Sequence, residues 1–308
     1  MQKVLITGSG SFICENLIRK AIHYKLPYSF IGVDRVKNSL ALSNLYVSKN
    51  YQFYIGNVLD EHFLDVLFEY ERPDIVIHGA FSKGQDAIET NALGTQKVID
   101  ACLRWKTKRL IHLSTGKVYG SLSDENAHPS KENDLLIPIT KFVASQAAAE
   151  LLVQAAGKSQ NLPYLIVRLA KGFGPRQGSY CFIPHTIKSI LDETTITLYN
   201  QGLELRDWLH TSEICSALFT VLEKEHSEQV YNLSAGQEFS NLEIANHICN
   251  ILGRGHHLIS FTEKSDVGFR YSMDGSKLKS LDWTPKLKFK ERLEKTVGWY
   301  ETNRWALQ

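Results

Sequence analysis

The sequence predicts an α/β fold, a doubly wound parallel sheet with a smaller C-terminal region, on three observations. Residues 1–14, Met-Gln-Lys-Val-Leu-Ile-Thr-Gly-Ser-Gly-Ser-Phe-Ile-Cys, pass from a short apolar strand through a glycine turn into a helix. A second apolar stretch, Tyr28 to Val33, follows at the distance of a strand-helix-strand unit and ends on a carboxylate, Asp34. Apolar runs and helical patterns then alternate to about residue 170, as they do in a parallel sheet covered by helices on both faces.

With 308 residues, 43% of them hydrophobic, the chain buries a full core as one large or two closely joined domains. Lys+Arg 35 against Asp+Glu 33 gives a formal charge of +2, so the overall field predicts neither a nucleic-acid nor a membrane partner. Cys14, Cys102, Cys181, Cys215 and Cys249 lack C-x-x-C spacing and read as packed, reduced thiols, with no metal site expected. No apolar run reaches the ~20 residues of a membrane span, and the N-terminus has no charged-then-apolar leader pattern; the expected location is the cytoplasm.

In the first strand, Lys3 to Thr7 is apolar, and Gly8 and Gly10 turn the chain. Phe12, Ile13, Leu17 and Ile18 then recur at helical spacing. Free N–H groups and the dipole at such a helix start favour a diphosphate. Asp34, at the tip of the second strand, is placed to accept both hydroxyls of an adenosine ribose, which favours NAD over NADP. Arg35 beside it reads either as a partner for a 2′-phosphate or as a solvated loop residue. A third strand is expected over Tyr51 to Val58, a helix near Asp60 to Glu71, and a strand over Ile75 to Gly79 after the Pro73-Asp74 turn. His78, alone on a buried strand, reads as a hydrogen-bonded core residue. Further strands follow at Arg109 to Ser114 and Tyr164 to Arg168, then a helix from Ile183 to Leu191 and a strand from Thr194 to Tyr199.

Seven motifs together carry a resemblance. They are Thr7-Gly8-x-x-Ser11-Phe12-Ile13-Cys14, His78-x-Ala80, Asn91-x-x-Gly94-Thr95, Ser114-Thr115-Gly116-Lys117-Val118-Tyr119-Gly120, Pro138 to Glu150, Arg168-x-x-Lys171-x-Phe173-Gly174-Pro175, and Arg206-Asp207-Trp208-Leu209-His210. The chain resembles, over essentially its whole length, the extended short-chain dehydrogenases/reductases, the NAD-dependent nucleotide-sugar epimerases and dehydratases. That resemblance implies an NAD-binding Rossmann domain over 1–170. It implies a mostly substrate-binding region over 171–308, with some segments returning to the first domain. It places the cofactor on Gly8, Gly10, Ser11, Phe12, Ile13, Asp34, Asn57, Val58, Ala80, Asn91 and Gln146, with Asn91 bracing the neighbouring loop. Thr115 and Tyr119 become the catalytic candidates, and Lys171 and Arg206 the contacts to the diphosphate of a nucleoside-diphosphate sugar. A homodimer is implied through the helix after Asn91 and the helix bearing Ala144 and Ala148.

The departures from the family pattern decide the chemistry. Ser11 and Cys14 stand at two glycine positions, so the phosphate turn is expected to be crowded and NAD binding weak. Gly116 and Lys117 stand where the dehydratase branch has two acidic residues, which argues against dehydration. Phe142 and Gln146 occupy the positions of the family's Tyr-x-x-x-Lys dyad, four apart and therefore on one helical face. Phenylalanine transfers no proton, and glutamine hydrogen-bonds without charge. Two readings follow. One is an epimerase or oxidoreductase working through NAD with another acid/base set, drawn from Thr115, Tyr119, Lys117 and Lys171. The other is a non-catalytic member that binds a dinucleotide, a nucleotide sugar or a partner subunit.

Overall fold

A computed structural model of the chain describes residues 1–35, 49–123, 127–224, 228–263 and 268–308. The elements in order are β1 (Gln2–Thr7), α1 (Phe12–His23), β2 (Tyr28–Asp34), β3 (Tyr51–Ile55), α2 (Glu61–Glu71), β4 (Ile75–His78), α3 (Gly94–Arg104), β5 (Arg109–Thr115), α4 (Lys141–Gln160) and β6 (Tyr164–Leu169). There follow β7 (Lys171–Phe173), α5 (Phe182–Leu191), β8 (Ile196–Tyr199), β9 (Leu205–His210), α6 (Thr211–Glu223), β10 (Gln229–Leu233), β11 (Glu238–Ser240), α7 (Asn241–Leu252), β12 (Ile259–Thr262), β13 (Arg270–Tyr271) and α8 (Phe289–Thr302). The chain divides into two compact units. One comprises Met1–Tyr119, Leu135–Leu169 and Val221–Tyr231, the other Gly120–Asp134, Ala170–Thr220 and Asn232–Gln308.

The main sheet has seven strands in the order β10-β6-β5-β4-β1-β2-β3. Each neighbouring pair from β6 to β3 is parallel. Successive strands step from β1 to one side through β2 and β3, then reverse to β4 on the other. Such a reversal leaves a crevice at the strands' carboxyl ends, the place where open sheets of this kind take ligands. Thr7 and His78 are paired in register at that point.

Strands covered on both faces read as unbroken apolar runs, and β4, Ile-Val-Ile-His, is buried at all four positions. Leu5, Ile31, Val76, Leu110 and Ile166, one from each of five strands, pack with Phe68, Val98 and Val153 from the helices. Each such side chain contributes about 1.5–3 kcal/mol by leaving water. The third strand ends at Ile55, three residues before the expected Val58, because turn chemistry intervenes. Asn57 accepts from Leu59 N at 3.0 Å and, through its carbonyl, from Asp60 N at 2.9 Å. Asp60 then caps α2 by accepting from Phe63 N at 3.0 Å.

Helix α4 carries Phe142 and Gln146. Thr140 caps its start by accepting from Val143 N at 3.2 Å, and Asn161 ends it in the left-handed region at φ 55°. Its buried face presents Val143, Gln146, Ala147, Glu150 and Val153, at helical spacing. Glu150 is fully buried and is gripped by Arg168 of β6 through bonds of 2.7, 3.0 and 3.1 Å, with Ser114 of β5 also donating to it. Two charges removed from water require that degree of mutual satisfaction.

In the second unit β9 pairs with β11 antiparallel and with β13 and β7 parallel, while β8 and β12 form a separate parallel pair. Phe173, Ile187, Trp208, Ile248, Leu293 and Tyr300 belong to its core. The buried Tyr300 hydroxyl donates to the carbonyl of Gln177 at 2.6 Å. Ser240 and Glu243 form a reciprocal cap at the start of α7.

Candidate active site

The phosphate turn is shaped by backbone. Gly8 has φ +66°, and a Cβ there would lie 2.5 Å from the Gly79 carbonyl and 2.6 Å from Ala80 Cα, so only glycine fits between β1 and the end of β4. Ser11 N donates to Gly8 O at 2.9 Å and closes the turn. Asp34 reaches back to it, accepting from Gly10 N at 2.9 Å with one oxygen and from Arg35 N at 2.8 Å with the other. Phe12 and Ile13 follow as the first residues of α1, and no helix residue stands before them to accept their N–H groups.

Cys14 corrects the expectation of crowding. Its thiol is buried and faces Gly79, where a Cβ would lie 2.6 Å from the sulfur. The glycine missing from the helix is matched by one at the end of β4, and the side chain is packed between the two elements. Arg35 is also accounted for: its guanidinium donates to Asp86 at 2.7 Å. Asp86 accepts from Ser82 and Thr90 as well, and these bonds hold its carboxyl down at about 2.

His78 joins the turn to the next helix, and its tautomer follows from its neighbours. Thr95 Oγ1 donates to Asn91 O at 2.5 Å, so its one proton is committed and it accepts from His78 Nε2 at 2.9 Å. His78 Nδ1 is then the acceptor for Thr7 Oγ1 at 2.7 Å. Complete burial pushes its pKa down to about 4, which keeps the ring neutral. His112 lies alongside, ring centroids 5.5 Å apart, pushed down to about 3 by burial and by His78; neither of its nitrogens finds a partner among the described residues.

Asn91 holds the loop after β4 with both ends of its amide. Oδ1 accepts from Ser82 N at 2.7 Å, while Nδ2 donates to Ser82 O at 2.9 Å and to Ser145 Oγ at 2.8 Å. Ser145 in turn donates to Phe142 O at 2.7 Å, so the loop and α4 are tied through one side chain. Phe142 faces Phe81 with ring centroids 6.2 Å apart. Lys83 Nζ stands 5.8 Å from the centroid of Phe81 and 6.0 Å from that of Phe142. Gln146, one turn along, is 4% exposed.

Of the other expected site residues, Asn57 is half-buried in its turn, and Val58 is a core side chain against Gly94 that can meet a ligand only through its backbone. Thr115 ends β5, half-buried, with Oγ1 accepting from Lys117 N at 3.3 Å. Tyr119 is drawn into the buried ion pair. Its hydroxyl accepts from Arg168 at 2.5 Å, and the guanidinium lies 4.6 Å over its ring, which makes the phenol part of the scaffold. In the second unit, Arg206 donates to the carbonyls of Leu205 at 2.7 Å, Phe269 at 3.0 Å and Gly268 at 2.9 Å, over the Tyr271 ring. Its neighbour Asp207 is buried and pushed up to about 6. Lys171 is half-buried on β7.

Sequence reasoning missed Phe81, Ser82, Lys83 and Asp86. The signal for them was position: they follow directly from the carboxyl end of a strand next to the switch point. Ser145 lies three residues beyond Phe142, close enough on the helix to bond back to its carbonyl. Among the described residues no group of three His, Cys, Asp or Glu could hold a metal, and no helix is long and apolar enough to cross a membrane.

The chain is similar to several known proteins. The bovine dTDP-D-glucose 4,6-dehydratase is 28% identical over 98% of this chain and 89% of its own length. The low-salt glycan biosynthesis protein Agl12 of Haloferax volcanii is 31% identical over 96% of this chain and 98% of its own. The crystal structure of dTDP-glucose 4,6-dehydratase from Bacillus anthracis in complex with NAD superposes with a TM-score of 0.95 at 28% identity, covering 100% of this chain and 99% of that one. Residues 4–234 match the model of the NAD dependent epimerase/dehydratase family, and the chain belongs to that family.

Proposed function

We propose that the protein binds NAD and a nucleoside-diphosphate sugar and acts on the sugar as an epimerase- or oxidoreductase-type enzyme without the usual tyrosine and lysine. The observation that carries this reading is the fixed carboxylate of Asp34, held by Gly10 N beside a turn that admits only glycine at position 8. Gly8, Gly10, Ser11 and the first turn of α1 would hold the diphosphate of NAD, and Asp34 its adenosine ribose. Arg35, engaged by Asp86, is drawn away from any 2′-phosphate, which favours NAD over NADP. NAD, when bound, supplies a hydride acceptor. Thr115 is the hydroxyl for the sugar oxygen, and Lys117 and Lys171 are the remaining proton-bearing or diphosphate-binding candidates. Arg206 keeps a place beside the diphosphate only with the donors its three carbonyl bonds leave over. Dehydration is not proposed, since Gly116 and Lys117 replace the carboxylic acid and base it needs.

A second reading, a non-catalytic binder of the same ligands, is favoured by one observation. Phe142 and Gln146 neither bind nor release a proton near neutral pH, and acid/base help is typically worth ~100 to 10,000-fold. Mass spectrometry of what denatured protein releases tests binding; NAD with a nucleoside-diphosphate sugar is expected, and neither would sink both readings. Cofactor reduction read at 340 nm then separates them. Sugar-dependent turnover that is lost in Thr115→Val supports the enzyme. An inert protein in which Phe142→Tyr with Gln146→Lys gains turnover supports the binder. The reading extends to a cytoplasmic homodimer through α3 and α4, supported by Leu93 and Leu151, both more than half exposed on these elements or at their edge. A monomer by light scattering at micromolar concentration would refute the dimer.

A further inference from the structure

In the second unit β9 and β11 place two carboxyl groups opposite one another. Asp207 pairs with Glu238 in the antiparallel register, so both side chains leave the same face of the ladder. The cation at hand, Arg270 of β13, goes to Glu238: it donates to both Glu238 oxygens, at 2.5 and 2.6 Å, and Ser272 adds a bond at 2.8 Å. Asp207 is 2% exposed. The charged groups of the other packed elements are engaged or turned elsewhere. Arg206, next on β9, donates to the carbonyls of Leu205, Phe269 and Gly268, and Lys171 on β7 lies opposite Trp208. Glu213 of α6 accepts from Lys286 N at 3.2 Å, and Lys290 and Glu291 of α8 are exposed. Burial first, then the charge of Glu238, pushes the Asp207 carboxyl up to about 6.

The hydrogen bonds around Asp207 show what each of its forms needs. Oδ1 accepts from Gln237 N at 3.2 Å, and the Ser234 hydroxyl is in reach of the same carboxyl. Ser234 donates its one proton to Met273 O at 2.7 Å and accepts from Gly236 N at 3.1 Å, which leaves one lone pair. A neutral Asp207 can donate into that lone pair and leave the bond to Met273 in place. An ionised Asp207 can only accept, and the hydroxyl in reach of it is the one bonded to Met273. Met273 is itself bridged to Ser130, between bonds from Ser130 N to Ser272 O at 3.0 Å and from Asp274 N to Ser130 O at 2.9 Å. The same stretch of chain begins at Gly268 and Phe269, whose carbonyls hold Arg206.

We propose that Asp207 and Ser234 form a pH-sensitive hydrogen-bond switch: with the carboxyl neutral the Ser234 proton holds Met273, and with the carboxyl ionised that proton turns to Asp207 and loosens the 268–274 segment. On the nucleotide-sugar reading above, on which this second step rests, the segment also sets where Arg206 stands, and a diphosphate is held more tightly in acid. The test is carboxyl-carbon NMR and amide hydrogen exchange on the full chain between pH 5 and 8, for wild type, Ser234→Ala and Asp207→Asn, whose amide donates as the neutral acid does. The Asp207 signal, identified by its loss in Asp207→Asn, is expected to titrate within that range. Protection of the Ser130 and Asp274 amides, corrected for the intrinsic pH dependence of exchange, should fall by up to about tenfold as pH rises, the scale of one hydrogen bond. Asp207→Asn should keep the high protection at every pH, and Ser234→Ala the low. A carboxyl that stays in one form from pH 5 to 8, or protection that varies alike in wild type and Asp207→Asn, would overturn the switch. Titration with UDP at pH 5.5 and 7.5 reads the second step: Asp207→Asn should bind as wild type does at the lower pH and more tightly, by at most the same factor, at the higher. A ratio that does not move with pH would overturn the link to Arg206. A wild type that binds no UDP would defeat the nucleotide-sugar reading and that link with it, while the switch stands or falls on the NMR titration.

Discussion

The two ends of the candidate cofactor site differ in what holds them. At the phosphate turn the restraint is backbone: Gly8 sits at positive φ against Gly79 and Ala80, and Asp34 is bonded to Gly10 N. On α4 the restraint is only that a side chain fit a helical face, where Phe142 packs near Phe81 and Gln146 is buried. A change at the turn must move two strands, whereas a change on the helix replaces chemistry and leaves the fold alone. A turn held by backbone can therefore stay fixed while the side chains on the helix change.

The most severe test of this contrast is Gly8→Ala. The clash and the left-handed backbone together should cost at least about 2 kcal/mol and reduce NAD binding below detection. Denaturant unfolding and calorimetry measure both, and a fully stable, NAD-binding variant would show that the turn is not held by backbone.

Acid should act next most strongly, through the residues behind the turn. His78 and His112 have folded pKa values near 4 and 3, below the unfolded value of ~6.5. The unfolded chain thus binds more protons, and the stability these rings confer is complete above about pH 6.5 and falls as pH drops, by up to ~1.4 kcal/mol per pH unit for each. Unfolding free energies at pH 7, 6 and 5 that coincide would contradict the buried, neutral pair. The tautomer deduced for His78 can be read directly from its nitrogen chemical shifts, where a proton on Nδ1 would break the chain from Thr7 to Asn91.

A smaller effect is expected from Asp86→Asn, which frees Arg35. An exposed ion pair of this kind is weak, so NADP affinity should rise only a few-fold while NAD affinity changes little. No gain for NADP would mean that the pairing with Asp86 is not what directs the arginine. Smallest of all should be Cys14→Ala, because the thiol packs on Gly79 and not in the turn. NAD affinity is expected to stay within about twofold, and a large improvement would revive the idea that Cys14 obstructs the phosphate.

Much of the first unit was legible because its signals are local. Apolar runs bounded by turns gave the strands of the parallel sheet. The third strand was drawn too long because apolar content continues to Val58, whereas the side chain and carbonyl of Asn57 turn the chain after Gly56. The candidate site was legible where the structure brings the named residues together, as at Gly8 and Asp34. It was not legible where distant residues meet. Arg35 and Asp86 are 51 positions apart, and nothing near Arg35 in sequence shows that its charge is engaged. Tyr119 looked available for chemistry until Arg168, 49 positions away, was seen to hold its hydroxyl.

The sequence by itself determined the alternation of strands and helices, the glycine turn, the carboxylate after the second strand and the placing of Phe142 and Gln146 four apart on one helix, because each follows from residue type and short spacing. The tertiary structure decided where the charges and the space are: Cys14 beside Gly79, Arg35 on Asp86, and Lys83 over Phe142. Those outcomes depend on side chains brought together by sheet order and loop closure, and local pattern carries no information about which distant partner a long, flexible side chain will find.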